Sequence, residues 1–165
     1  VNANGAESLF FTSGTAGALP ILAQLLTENE IDKDEVQFMG LQRWDIPASA
    51  LELPALQGGW FALPDPGLSA AFNNRYEAAY GTPPHPIAGL AYDAINAIGA
   101  LVSAGNADAL TAAALTQPSG FTGVNGVFRL RPNGTVERGL AIATIRDKQV
   151  EVIDPAPRSF GGAGL

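Results

Sequence analysis

The stretch Gly120–Asp154 restricts the fold of this chain more than any other part of it. Three runs rich in β-branched and aromatic residues, Gly126–Leu130, Val136–Ile145 and Gln149–Ile153, are separated by turn residues. Pro132-Asn133-Gly134 divides the first two. An Asn-Gly pair between extended runs marks a hairpin, because tight hairpin turns need φ > 0 and these two residues reach it at least cost. Asp147-Lys148 offers a shorter second connection. The pattern predicts a three-stranded antiparallel meander at the C-terminal end, and a sheet of this kind needs earlier elements to cover it.

Those elements begin with an apolar run, Ala6–Phe11, broken by Thr12-Ser13-Gly14-Thr15. From Ala16 to Glu28, Leu19, Leu22, Ala23 and Leu26 recur at helical spacing, with Ser13 or Thr15 as N-cap and Pro20 tolerated in the first turn. An acidic linker, Glu28–Glu35, leads to a second strand, Val36–Gly40. Strand, helix and strand in so short a span form a βαβ unit with parallel strands. A weakly helical stretch follows Pro47 to Leu53, then a strand over Gly58–Leu63. Asp65 is placed to cap a helix over Pro66–Tyr80 with Pro66 at its first position, and Leu68, Phe72, Tyr76 and Ala79 share one side.

Ile87–Ala104 is the longest helical pattern. Ile87, Ala91, Ala94, Ile98 and Leu101 form one stripe, and Leu90, Ile95 and Val102 make its flank apolar too. A helix apolar around most of its circumference is expected to be packed on several sides. A shorter helix is expected over Ala107–Leu115, capped by Asn106, and a mobile Gly-rich tail over Gly161–Gly164. The fold class is α/β: a parallel βαβ unit plus a C-terminal antiparallel meander, in a sheet that looks incomplete, as in a fragment of a larger fold.

Composition excludes several functions. At 47% apolar and 15% charged residues the chain is globular rather than disordered. Its net charge of −7 sits in the first 80 residues, with three basic against ten acidic groups there. Nucleic acid is therefore not an expected partner, since that affinity comes from Lys and Arg on phosphates. There is no cysteine, so no disulfide, thiolate metal site or cysteine nucleophile. Val1–Gly5 does not read as a secretory leader, and the apolar run Ile87–Val102, interrupted by Asp93 and Asn96, falls short of the ~20 residues of a membrane span.

Candidates for catalysis are few. The single histidine, His85, lies between two prolines at a helix entry and reads as a capping or surface residue. Gly120, Gly123 and Gly126 recur every third residue, but they precede a strand instead of joining a strand to a helix, so they do not form a phosphate loop. No nucleophile elbow or metal-ligand spacing is present, and no enzyme activity, metal or cofactor is expected. Arg129 and Arg131 share a sheet face, read either as solvated or as an anion site. Asn133-Gly134-Thr135 matches a glycosylation sequon that the turn already explains.

The stronger constellation is geometric. Ligands of open α/β sheets bind beyond the carboxyl ends of parallel strands. Here those ends carry Ser13, Gly14 and Thr15 after the first strand, and Gln42, Arg43, Trp44 and Asp45 after the second. The first loop offers hydroxyls and the amides of a helix N-terminus, which suit an anion. The second offers an amide, a guanidinium, an indole and a carboxylate, the mix of an aromatic wall and directed polar groups from which small-molecule pockets are made. The same residues also read as a helix cap and a core tryptophan with solvated neighbours. On the pocket reading, Trp44→Ala weakens ligand binding without unfolding the chain.

Motifs in fixed order add a resemblance. Phe72-x-x-Arg75-Tyr76-x-x-x-Tyr80-Gly81-x-x-Pro84, Ala91-Tyr92-Asp93-Ala94, Phe121-x-Gly123-Val124-x-Gly126 and Pro132-Asn133-Gly134 follow one another, preceded by Gly40-x-x-x-Trp44-Asp45 and Gly58-Gly59-Trp60-Phe61-Ala62. This succession resembles the C-terminal half of type I periplasmic solute-binding proteins, the branched-chain amino-acid receptors of ABC importers. The tail from Gly126 to Phe160 is most similar to the subgroup labelled penicillin-binding protein activators. The resemblance implies two α/β lobes joined by three crossings, with a small-molecule ligand, an amino acid or other small polar solute, held in the cleft between them. It assigns 1–57 and 120–160 to part of the second lobe and 58–119 to the closing helices of the first, the first half of the fold being absent. It implies a periplasmic or extracytoplasmic location, with any lipid anchor on an N-terminus outside these residues. The partners it implies are the missing N-terminal half and either an ABC permease or a cell-wall synthase. The first loop lacks the aromatic residue usual in the amino-acid receptors, and only Asp45 is placed to hold an α-amino group.

Overall fold

Register between the first two strands decides the architecture. The computed structural model describes residues 5–31, 33–105 and 109–160 of the chain. In it β1 (Ser8–Phe11) and β2 (Gln37–Gly40) run parallel, with Ser8 opposite Gln37 and Phe11 opposite Gly40. The helix between them, α1 (Leu19–Glu28), turns Leu19 and Ala23 inward, one helical turn apart. β3 (Trp60–Leu63) continues the parallel set beside β2, after short 3-10 turns at Ala48–Glu52 and Pro54–Leu56. β7 (Ala141–Arg146) pairs antiparallel with β3, and β8 (Gln149–Asp154) closes the five-stranded sheet in the order β1-β2-β3-β7-β8. Asp147 and Lys148 join the last two strands in a two-residue turn, both at positive φ. Ala141, Ala143 and Ile145 alternate into the core beside Phe38, Leu56 and Phe61.

The second compact unit is built from Pro64–Leu140 and from Ala156 onward. Asp65 accepts the Leu68 amide at 3.0 Å and Pro66 opens α2 (Pro66–Tyr80), which Gly81 ends in the left-handed region at φ 75°. α3 (Ala88–Ser103) and the short α4 (Ala112–Leu115) follow. Then come β4 (Phe121–Gly123), β5 (Gly126–Leu130) and β6 (Val136–Arg138), an antiparallel three-stranded sheet. Ala97, Phe121 and Phe128 form its core, with Leu101 packed against them.

A buried ion pair fastens α3 to this sheet. Asp93, 1% exposed, accepts the Val124 amide at 2.6 Å and a guanidinium hydrogen bond from Arg138 at 3.0 Å. Gly123 has to be glycine, because a Cβ there would stand 2.3 Å from the Asp93 carboxyl carbon. Arg138 also lies over the Phe128 ring, 4.8 Å from its centre.

The mixed α/β class, the parallel βαβ unit and the antiparallel C-terminal strands are present, but the strand bounds differ from expectation. The run Val136–Ile145 is two strands, broken at Gly139-Leu140, and they lie in different sheets. Gly139 sits so tightly against Pro157 and Val127 that a Cβ would come within 2.7 and 2.8 Å of them. The meander is therefore β4–β6, while Gln149–Ile153 belongs to the five-stranded sheet. The two compact units divide at 63/64, 140/141 and 155/156. Gly58–Leu63 stays with the first unit because its strand is held between β2 and β7. α3 is not enclosed on several sides: Gly89, Asp93 and Ala97 are its buried residues. Asn106 and the start of the helix expected at Ala107 lie outside the described residues, as do Val1–Asn4 and the Gly161–Gly164 tail. Thr111 caps α4, accepting the Ala114 amide at 3.3 Å.

Candidate functional site

Because Phe11 is opposite Gly40, the loops leaving β1 and β2 emerge side by side on the carboxyl edge of the first unit's sheet. Two hydrogen bonds tie them together. Thr15 Oγ1 donates to the Ile46 carbonyl, and Gln42 Nε2 donates to the Thr12 carbonyl at 3.4 Å. Within the first loop, Gly17 donates its amide to Gly14 O at 3.0 Å, and Ser13 Oγ accepts the amide of Ala18 at 2.9 Å. Ser13 thus serves the entry to α1, although Ala18 itself holds the cap position. Gly14 lies beneath the Gln42 amide, where a Cβ would meet Oε1 at 2.1 Å.

These loops line an open depression of about 560 Å³, bounded by Gly14–Gly17, Gln42, Arg43 and Ile46. Gly14, Thr15, Gln42 and Arg43 come together there from the sequence-derived set. Asp45 sits behind them: Arg43 Nε donates to its Oδ1 at 2.8 Å and a second guanidinium nitrogen reaches Oδ2. The Asp45 side chain is 12% exposed against 38% for Arg43, so the face of the pair turned to solvent is the cation. Ala16, Gly17 and Ile46 were not singled out by sequence, since small or aliphatic loop residues carry no chemical signature.

Trp44 does not line the depression. It is fully buried, stacked on Phe61 with ring centres 5.9 Å apart and edge-on to Phe11 at 6.2 Å. Two glycines make its slot. A Cβ on Gly40 would lie 2.4 Å from the indole nitrogen, and one on Gly59 would lie 2.2 Å from the far edge of the ring. The indole N–H has no hydrogen-bond partner among the described residues. Trp44 is the floor on which the second loop rests, and the expectation that it walls a pocket is corrected by this burial.

The other sequence candidates are engaged in the structure. His85 Nδ1 accepts the Ile87 amide at 3.3 Å, as a capping residue does. Arg129 and Arg131 both hydrogen-bond to Glu137, at 2.8 Å and 2.5 Å. The two guanidiniums hold the Glu137 carboxyl below its ordinary value, Arg129 contributing most. Among the described residues no three His, Asp or Glu side chains gather in a metal-binding cluster, and no helix is long and apolar enough to cross a membrane.

The sequence pattern of the periplasmic binding proteins matches residues 1–149. The chain belongs to the periplasmic binding protein family. No curated protein matches it in sequence. Solved structures give the fold of this family member. A periplasmic ligand-binding protein of a branched-chain amino acid ABC transporter from Burkholderia xenovorans matches with TM-score 0.66 and 22% identity, over 98% of this chain and 47% of its own. A Rhodospirillum rubrum protein assigned to a branched-chain amino acid ABC transporter matches with TM-score 0.72 and 20% identity, over 92% and 46%. The C-domain of Haemophilus influenzae LpoA, a regulator of PBP1A, matches with TM-score 0.50 and 15% identity, over 89% and 44%. This periplasmic binding protein chain thus spans a little under half the length of each.

Proposed function

We propose that the protein is an extracytoplasmic solute-binding receptor that takes a small polar ligand at the joined edge of the β1 and β2 loops and delivers it to the permease of an ABC importer. The observation that carries this reading is the single depression built by Gly14–Gly17 together with Gln42, Arg43 and Ile46. Two neighbouring strand ends supply it, at the place where open α/β sheets bind ligands. The depression turns a guanidinium toward solvent while Asp45 is held behind it. Such a surface favours a ligand presenting acceptors, a carboxylate or an amide oxygen, over a free ammonium. A branched-chain amino acid held through its α-amino group by Asp45 fits poorly. The rest of the enclosure belongs to the longer fold of which this chain spans about half.

A second reading is a non-transport regulator of a peptidoglycan synthase acting through surface contact. It is favoured by the inward use of the loops' polar groups: Ser13, Thr15 and Gln42 bond within the loops, and Arg43 and Asp45 neutralise each other. Thermal-shift titration of the full-length gene product with amino acids, amides, short-chain acids and peptides separates the two. A receptor gains about 2.7 kcal/mol of stability at a ligand concentration one hundred times its Kd. No saturable response from any compound, with capture of a cell-wall synthase, favours the regulator.

A further inference from the structure

The depression between the β1 and β2 loops offers a ligand one charge and little else. Of the described residues that line it, Arg43 alone is ionisable, while Gly14, Ala16, Gly17 and Ile46 bring no polar side chain. Ile46 is 39% exposed. The acceptors that could hold a cation are engaged within the loops. The Thr12, Gly14 and Ile46 carbonyls accept from the Gln42 side chain, the Gly17 amide and the Thr15 hydroxyl. Both Asp45 oxygens are bonded to the Arg43 guanidinium, behind which that carboxylate is withdrawn at 12% exposure. The donor side is different. Asp45 engages Nε and one terminal nitrogen of Arg43, and the other terminal nitrogen has no acceptor among the described residues.

Resting on the receptor reading, we propose that the ligand is a carboxylic acid with an apolar aliphatic or aryl body and no amino group. Its carboxylate lies on Arg43 and its body over Ala16 and Ile46. A carboxylate gains a charge-assisted hydrogen bond from the guanidinium. An ammonium meets a like charge there, and no carboxylate on the lining replaces the water it gives up. A second carboxylate has no second cation to meet. A hydroxyl-rich acid fits no better, because its hydroxyls would face the glycines, Ala16 and Ile46 and lose their hydrogen bonds to water.

Isothermal titration of the full-length gene product near neutral pH tests this with compounds matched on one carbon skeleton. Isocaproate is set against leucine and leucinamide, phenylpropanoate against phenylalanine, with glutarate and gluconate as polar acids. The expected result is that at least one amine-free apolar acid binds about tenfold or more tighter than its amino acid and than either polar acid. Ala16→Asp, which sets a carboxylate on the exposed lining, should weaken that acid about tenfold more than the isosteric Ala16→Asn. Leucine or phenylalanine binding as tightly as its amine-free partner overturns the proposal and leaves the receptor reading standing. Equal losses in the two Ala16 variants do the same. So does silence from every acid alongside a thermal shift from an amide or peptide. Silence from all compounds in both assays removes the receptor reading as well.

Discussion

The Asp93 carboxylate meets the Arg138 guanidinium at 3.0 Å, joining the buried side of α3 to the last residue of β6. Both side chains are withdrawn from water, at 1% and 16% exposure. Removing one partner therefore strands the other in a place where it cannot be rehydrated. Asp93→Ala is expected to cost about 3–5 kcal/mol, read from urea unfolding near neutral pH. The double variant with Arg138→Ala should cost less than the sum of the two single changes, because the stranded charge is gone. Additive effects would show the pair to be uncoupled.

Trp44 is expected to behave as core. Trp44→Ala should lose about 3–5 kcal/mol, as truncations of buried aromatics do. Gly40→Ala should lose about 1–3 kcal/mol by overpacking, since the indole it would strike is held between β2 and Gly59. A Trp44→Ala protein with unchanged urea midpoint would show that the indole is not held in this slot.

Much of this fold could be read in the residues because each element announces itself locally. Asp65 and Pro66 opened α2 at the expected residue, and the Asn133-Gly134 turn joined β5 to β6. What stayed hidden depends on where strands go after they form. Val136–Ile145 is uniformly β-favouring, and only the packing of Gly139 against Pro157 divides it between sheets. At the candidate site, adjacency of the two loops followed from the parallel βαβ reading. The fate of Trp44 did not: in a loop of consecutive polar residues, one side chain turned inward because glycines at 40 and 59 leave room for it. Asp93 stood in the sequence only as a break in an apolar run, with nothing local to say which side of the helix it takes, and here it marks the covered one.

Acid should loosen the β5–β6 sheet through Glu137. Its carboxyl is held below the ordinary 4.5, first by Arg129 and then by Arg131. A depressed acid contributes stability that is present above its unfolded value and lost as pH falls through its lowered one. Glu137→Gln should therefore be less stable than the parent near ~pH 7 and converge with it at about pH 2. The effect is small because the cluster is solvated. Parallel stability curves for the two proteins across that range would contradict it.

Arg43→Lys tests the site where geometry and charge separate. Lysine keeps the positive charge but cannot fork across both oxygens of Asp45, so the guanidinium plane presented to the depression is lost. Stability of the ligand-free protein should change by no more than about 1 kcal/mol, since the Arg43 side chain is 38% exposed and its pair with Asp45 is screened by solvent. The saturable thermal shift produced by the best ligand of the parent should fall to a small fraction of its size. Thr15→Val, which keeps the shape but removes the hydroxyl tying the first loop to Ile46, should weaken the same response. A ligand response unchanged in both variants would place binding elsewhere on the molecule.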